Sequence, residues 1–298
     1  MKPSRFAYHA PSSVAEALQS LSEHADEAKV LAGGQSLMPL LSFRMATPEH
    51  IIDINRLPGM DAHERTASGW YIPALVRQRT IERSNVLAEE VPLLRQALLK
   101  VAHPQIRNRG TVCGSLAHAD PAAELPAVMT ALGARMRVAS LSGERTVAAE
   151  DFFVFHLTSA LEPDELLVGV EVDALKPRTR TSFQEYAPRH GDFALASVAA
   201  VVTQAQDGTV EYCRLVASGV AATPQRLHAT EEVVLGTRLD SAELVAAERA
   251  VHGEVSPTGD VHASAAYRRQ LVSALARRAL AEIQQQCATN EKGSKHAA

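Results

Sequence analysis

Two short runs of small residues carry most of the chemistry that can be read from the chain. The first is Leu31-Ala32-Gly33-Gly34-Gln35-Ser36-Leu37-Met38-Pro39, set between a short apolar strand and a short helix. Paired glycines let backbone N–H groups approach a ligand closely, and a following helix start favours an anion such as pyrophosphate. Gln35 and Ser36 add side-chain donors. The spacing is neither a Walker loop nor the Gly-x-Gly-x-x-Gly dinucleotide fingerprint. The second run lies about eighty residues further on and reads Ile106-Arg107-Asn108-Arg109-Gly110-Thr111-Val112-Cys113-Gly114-Ser115-Leu116-Ala117-His118-Ala119-Asp120-Pro121, ending at Glu124. It joins basic residues, small residues and hydroxyls to a helix start, with Asp120 or Glu124 as acceptors for a ribose or ribityl hydroxyl. Two such loops on neighbouring units suggest one extended dinucleotide gripped at both ends.

Rival chemistries use the same residues. His118-x-Asp120-x3-Glu124, with His103, offers imidazole and carboxylate ligands for zinc, manganese or iron. Against this, Asp120 before Pro121 reads as a helix cap with proline at the first helical position, opening a helix to about Leu132. Cys113 is either a nucleophile at an anion site or, the favoured reading, a small residue where bulk is excluded. No Gly-x-Ser-x-Gly nucleophile elbow is present.

The elements that position these loops follow from periodicity. Arg5–Tyr8, Lys29–Ala32 and His50–Ile54 read as short strands, and Ser13-Val14-Ala15-Glu16 as a capping box before a helix carrying Val14, Ala17, Leu18 and Leu21 on one face. Residues 1–58 thus form one small α/β unit, closed by the Pro58-Gly59 turn. A second unit, 59–176, has strands at Trp70–Ala74, Arg135–Ser140 and Leu166–Val172, and a helical face of Leu94, Ala97, Leu98 and Val101. The polar, basic Lys176-Pro177-Arg178 marks a boundary. Beyond it, Phe193–Thr203 and Val210–Ser218 flank Asp207-Gly208, a hairpin turn signal. Helices open at Asp240-Ser241-Ala242-Glu243 and run from Ala263 to about Gln286, so residues 177–288 form an α+β domain. The small, polar residues 289–298 read as a disordered tail.

Composition bounds the rest. The chain has 298 residues, 46% hydrophobic and 21% charged, with net charge −4, which excludes disorder as its main state and predicts no general attraction to nucleic acid. No apolar run approaches the ~20 residues that span a bilayer, and no apolar signal core follows Met1-Lys2-Pro3-Ser4-Arg5, so a cytoplasmic location is expected. Three scattered cysteines, Cys113, Cys213 and Cys287, argue against a disulfide framework and a self-contained iron–sulfur cluster.

Ala32-Gly33-Gly34-Gln35-Ser36 and Thr111-Val112-Cys113-Gly114-Ser115-Leu116-Ala117-His118-Ala119-Asp120-Pro121 resemble the two FAD-binding motifs of the flavoprotein medium subunit of molybdenum hydroxylases. Carbon-monoxide dehydrogenase-type enzymes and the flavin domain of xanthine dehydrogenase are of this kind. Gly191-Asp192-Phe193-Ala194 also looks like the start of the family's C-terminal domain, so the resemblance covers essentially the whole chain. It implies an α+β chain: a two-subdomain FAD-binding fold of the PCMH type over 1–176, then a C-terminal domain with a small antiparallel sheet and helices. By the same resemblance, Ala32, Gly33, Gly34, Gln35, Ser36 and Leu37 hold the FAD pyrophosphate, with Thr111, Gly114 and Ser115 on the other side. Asp120 and Glu124 reach the rest of the cofactor, His118 counts among its contacts, Val101 and Leu167 are apolar contacts, and Phe193 covers a ring face. There are two departures. Cys113 stands where the family usually has the first glycine of Thr-Ile/Val-Gly-Gly, which is strained if that backbone has positive φ. Gln184 stands where some relatives place a lysine near the flavin. The benzoyl-CoA reductase branch, rich in cysteines, does not fit.

The resemblance implies an oxidoreductase subunit that carries FAD but no catalytic residue and no metal of its own. It takes electrons from a [2Fe-2S] small subunit and passes them to an external acceptor. Molybdopterin cytosine dinucleotide sits on a large subunit, and the assembly is a dimer of heterotrimers. The alternatives are a flavin-free nucleotide-binding or assembly module, supported only by Cys113, and a His/Asp/Glu metal hydrolase.

Overall fold

The structure is a computed structural model that describes residues 2–295, with side chains described through Cys287. Its elements have the expected α+β character, and they sort into two compact units that do not follow chain order. The first comprises residues 1–84, 102–120 and 133–173; the second comprises 85–101, 121–132 and 174–298.

The first unit holds two main sheets. Strands Ala7–His9, His50–Asp53 and Ala28–Leu31 form a parallel sheet in that spatial order. Parallel strands need crossovers, and the helix Val14–His24 lies in the one between the edge strands Ala7–His9 and Ala28–Leu31. Its buried Ala17, Leu18 and Leu21 join Ile52, Ile54, Leu57, Leu75 and Leu166 in one core. The helix opens with only half of the expected capping box. Ser13 accepts from the Glu16 N–H, but the Glu16 carboxylate accepts from the N–H and hydroxyl of Ser12 instead of reaching Ser13. The second sheet is antiparallel, in the order 64–65, 69–73, 166–173, 135–140, 143–148. Met136 and Val138 face the core, while Arg135 and Arg137 alternate outward and pair with Glu171 across the strands.

The second unit is built on the antiparallel sheet Thr179–Tyr186, Ala196–Gln204, Val210–Ser218 and Gln225–Arg226. Every residue of Ala196–Gln204 is buried, so both faces of that strand are covered. Ala196, Val198, Ala200 and Val202 share a core with Val272, Leu275, Ala279 and Ile283 of the long helix. The helix Ser241–Glu254 opens where expected and has a complete Asp240/Glu243 capping box, an arrangement in which the cap alone contributes about 1 kcal/mol. In the turn at Asp207-Gly208, only the glycine adopts positive φ.

Two expectations need correction. No helix starts at Pro121: the helix spans Glu124–Leu132, and residues 120–123 form an irregular turn. Within the second unit the Pro121 carbonyl accepts from the Ser218 hydroxyl and the Gly219 N–H, which spends it outside any helix. The long helix spans Ala265–Lys295, into the stretch read as a tail, and of that stretch residues 296–298 lie outside the described residues.

Candidate functional site

The two small-residue loops meet within the first unit. A Cβ added to Gly33 would lie 2.6 Å from the Arg109 carbonyl oxygen and 2.8 Å from the Gly110 Cα, so backbone packs directly on backbone. One at Gly114 would lie 3.8 Å from the Ala32 Cβ. Gly34 has φ +73°, a conformation that costs an L-residue about 1–2 kcal/mol. Close backbone packing at Gly33 and positive φ at Gly34 explain why these two positions are glycine.

The loop after Leu31 turns into the helix Leu37–Ser42, in which the Met38 N–H donates to the Gly34 carbonyl. The preceding N–H groups of Gly34, Gln35, Ser36 and Leu37 donate to no acceptor among the described residues. The Gln35 amide bonds back to the Gly33 carbonyl at 3.1 Å, and Ser36 is exposed. The second loop is held by the segment Val76–Gln78: the Val112 N–H donates to Val76 and the Gln78 N–H to Gly110. Thr111 caps the helix Val112–His118 by accepting from the Gly114 N–H at 3.0 Å.

A cleft of about 460 Å³ opens between the loops, lined by Gly33, Gly34, Gln35, Asp53, Asn55 and Arg109 among others. Sequence reasoning missed the residues that hold it together. Arg77 donates to the Arg109 carbonyl at 2.6 Å and to Asn55 Oδ1 at 2.7 Å, and Asn55 Nδ2 donates to the Ala32 carbonyl at 2.8 Å. Asp53 accepts from the Tyr8 hydroxyl and from the Asn55 backbone and side chain. Burial opposes its ionisation, but these donors outweigh burial and hold its carboxyl below the usual range. No motif marks Arg77 or Asn55; the only signal is their position just beyond strand ends that meet the glycine loops.

Ala32 to Leu37, Thr111, Gly114, Ser115, His118, Asp120 and Leu167 all belong to the first unit, whereas Val101, Glu124 and Phe193 belong to the second. His118 ends its helix half-buried, and burial lowers its imidazole pKa. Leu167 is buried in its strand, Val101 is buried just beyond the helix Pro92–Leu98, and Phe193 is 69% exposed in the irregular segment between strands. Nothing in the geometry supports the rival metal reading: no group of three or more metal-ligating atoms among the described residues includes His103, His118, Asp120 or Glu124. Cys113 is not strained: it sits inside a helix without positive φ, 2% exposed, with Sγ 3.6 Å from the Ile72 carbonyl. Burial pushes its thiol pKa up to about 12, which disfavours a thiolate nucleophile at neutral pH. Gln184 is committed to the second unit, donating to Glu282 and Ser182.

The anion cradle, the glycine-on-backbone packing and the adjoining hydroxyl acceptors suit a dinucleotide such as FAD. Residues 4–174 match the model of the FAD binding domain in molybdopterin dehydrogenase, and residues 181–283 that of the CO dehydrogenase flavoprotein C-terminal domain. The chain belongs to this family, the FAD-carrying medium subunits of molybdopterin-dependent dehydrogenases. It is 40% identical over 282 residues to the 6-hydroxypseudooxynicotine dehydrogenase complex subunit alpha of Paenarthrobacter nicotinovorans, covering 95% of each chain. It is 41% identical over 237 residues to the caffeine dehydrogenase subunit beta of Pseudomonas sp. (strain CBB1), covering 79% of this chain and 80% of that one. The solved carbon monoxide dehydrogenase of Hydrogenophaga pseudoflava superposes with a TM-score of 0.91 at 36% identity, over 94% of this chain and 97% of that one.

Proposed function

We propose that this FAD subunit is the electron relay of a heterotrimer. A small subunit with [2Fe-2S] clusters delivers electrons, a large subunit with molybdopterin cytosine dinucleotide oxidises the substrate, and two heterotrimers pair in the cytoplasm. The observation that carries this reading is the row of four backbone N–H groups, Gly34 to Leu37, with no acceptor among the described residues. Such a row binds the pyrophosphate of FAD. Thr111, Gly114 and Ser115 approach it from the second loop, where the Thr111 cap fixes the Gly114 backbone. Within the first unit, His118 and Asp120 serve the rest of the cofactor and Leu167 is an apolar contact. Asp53, ionised and lined up on the cleft, would accept hydroxyls of the cofactor and keep the phosphates toward the N–H row.

When bound, FAD supplies the redox chemistry, accepting electrons from an iron–sulfur donor and yielding them to an external acceptor. The chain's own residues bind and orient it. A nicotine derivative, caffeine and carbon monoxide, named in the relatives above, share no recognition chemistry, which favours a substrate pocket on another chain.

The test uses the assembled complex under anaerobic conditions. Substrate should reduce the iron–sulfur clusters and then bleach the flavin band. With Gly34→Val, strain of ~1–2 kcal/mol or more at positive φ lowers FAD affinity at least about tenfold, while cluster reduction persists. Full FAD content in that variant would remove the loop from the site. A flavin that stays oxidised beside reduced clusters would end the relay reading.

A further inference from the structure

A second cluster of ligand-type side chains lies in the first unit, and none of its residues lines the cleft at the glycine loops. Parallel pairing sets Ala7 beside His50 and His9 beside Ile52, so His9 and His50 occupy the same sheet face two positions apart. His24, the last residue of the helix Val14–His24, reaches the same place. The ligand nitrogens of the three rings lie within 4.8 Å of one another, and His9 Nε2 is 2.9 Å from His50 Nδ1. The His24 and His50 rings stack at 3.6 Å between centroids. Glu27 and Glu49 bring carboxylate oxygens within 4.8 Å of a His50 nitrogen, and their backbones are tied by a 2.9 Å hydrogen bond from the Glu49 N–H to the Glu27 carbonyl.

We infer that His9, His24 and His50 form a binding site for a divalent transition-metal cation of the zinc, nickel or copper kind, with Glu27 or Glu49 completing the coordination. Imidazole nitrogens offer lone pairs of the softness that selects these metals over calcium or magnesium. All three rings are half-buried, so an ion can enter from solvent, and rotation about χ2 turns their nitrogens toward a shared centre without moving backbone. The ligands come from an edge strand, a helix end and the central strand of the parallel sheet. One ion would therefore pin the N-terminal segment to the sheet.

The experiment uses the full, untagged chain with its FAD, stripped with a chelator and dialysed against zinc chloride. The expected result is about one tightly held zinc per chain by elemental analysis, with a melting temperature that rises with zinc concentration. The His24→Gln/His50→Gln variant should lose the zinc and the thermal response while keeping its FAD. If that double variant does not fold, His24→Gln alone should weaken zinc binding at least about tenfold, since one of three nitrogen ligands is gone. Copper(II) added to the stripped chain should show nitrogen hyperfine splitting in its paramagnetic spectrum. Failure to hold zinc at micromolar concentration overturns the assignment, as does equal zinc retention by the histidine variants.

Discussion

Cys113 shows how one departure from a motif can be absorbed. Placed where related sequences favour glycine, it would be strained in a loop of positive φ, but the backbone there is already helical. Its side chain fills a closed space beside Ile72. Two outcomes follow. In the native protein Cys113 should resist thiol reagents at pH 8 until denaturant is added, as peptide mass spectrometry would show; rapid native labelling would contradict the burial. Cys113→Gly should lower stability by about 1–3 kcal/mol, from glycine's cost in a helix together with the space left by the buried side chain. A urea titration measures that loss, and FAD content should be unchanged, because the N–H row of the first loop is untouched. Gly33 is the opposite case, where no side chain fits without separating two backbones.

Between elements, the site depends on side chains that tie loops to one another. Arg77 is the pivot, since it bonds the second loop directly and the first through Asn55. Hydrogen bonds to a charged group contribute about 1.5–3 kcal/mol. Arg77→Ala should therefore weaken FAD retention roughly tenfold or more, read as flavin released on gel filtration, with smaller losses in Arg77→Lys. The helix Pro104–Arg109, which presents Arg109 to Gly33, is anchored by the buried pair of Arg107 Nε and Glu82 Oε2 at 2.8 Å. Burial raises the Glu82 pKa, but hydrogen bonds from Arg107 and Arg79 outweigh it, leaving the carboxyl below its ordinary 4.5. A carboxyl depressed in the folded state stabilises fully above its unfolded pKa, and the gain is lost as pH falls through the lower folded value. Wild type should thus lose stability below about pH 4.5 more steeply than Glu82→Gln, which at neutral pH is weaker by about 3 kcal/mol because Arg107 loses its buried carboxylate partner. Urea midpoints across pH 3–7 measure both effects. These ties were the illegible part of the site. The glycine loops were visible because close backbone approach admits few residue types. Arg77, Asn55 and Glu82 look like ordinary surface residues until the fold brings distant segments together. Strands and the capped helices were legible from period and caps. The Glu124 helix start was misread because Asp120-Pro121 imitates a cap while its carbonyl is used by Ser218 and Gly219.

Across the whole molecule, chain order and compact units differ. The chain enters the second unit at residues 85–101 and again at 121–132 before remaining there from 174 onward. The helices Pro92–Leu98 and Glu124–Leu132 bury Leu93, Leu94, Leu98, Leu125, Val128 and Met129 almost completely. Within the second unit these helices pack on the strands Thr179–Tyr186, Ala196–Gln204 and Val210–Ser218, and on each other. A fragment ending at residue 176 keeps the helices and removes every one of those strands. Each buried leucine, valine or methionine side chain exposed in this way forfeits about 1.5–3 kcal/mol, a total comparable to the whole stability margin of a domain. The fragment should therefore aggregate or bind a hydrophobic dye, and retain little FAD, although it contains both glycine loops. Circular dichroism with dye binding and flavin content measures this directly. A fragment 1–176 that is monomeric, cooperatively unfolding and yellow would show that the strands beyond 176 are dispensable to the two helices. Its failure, with recovery on adding the chain 177–298 in trans, would show that the helices Pro92–Leu98 and Glu124–Leu132 rely on strands that follow them in sequence.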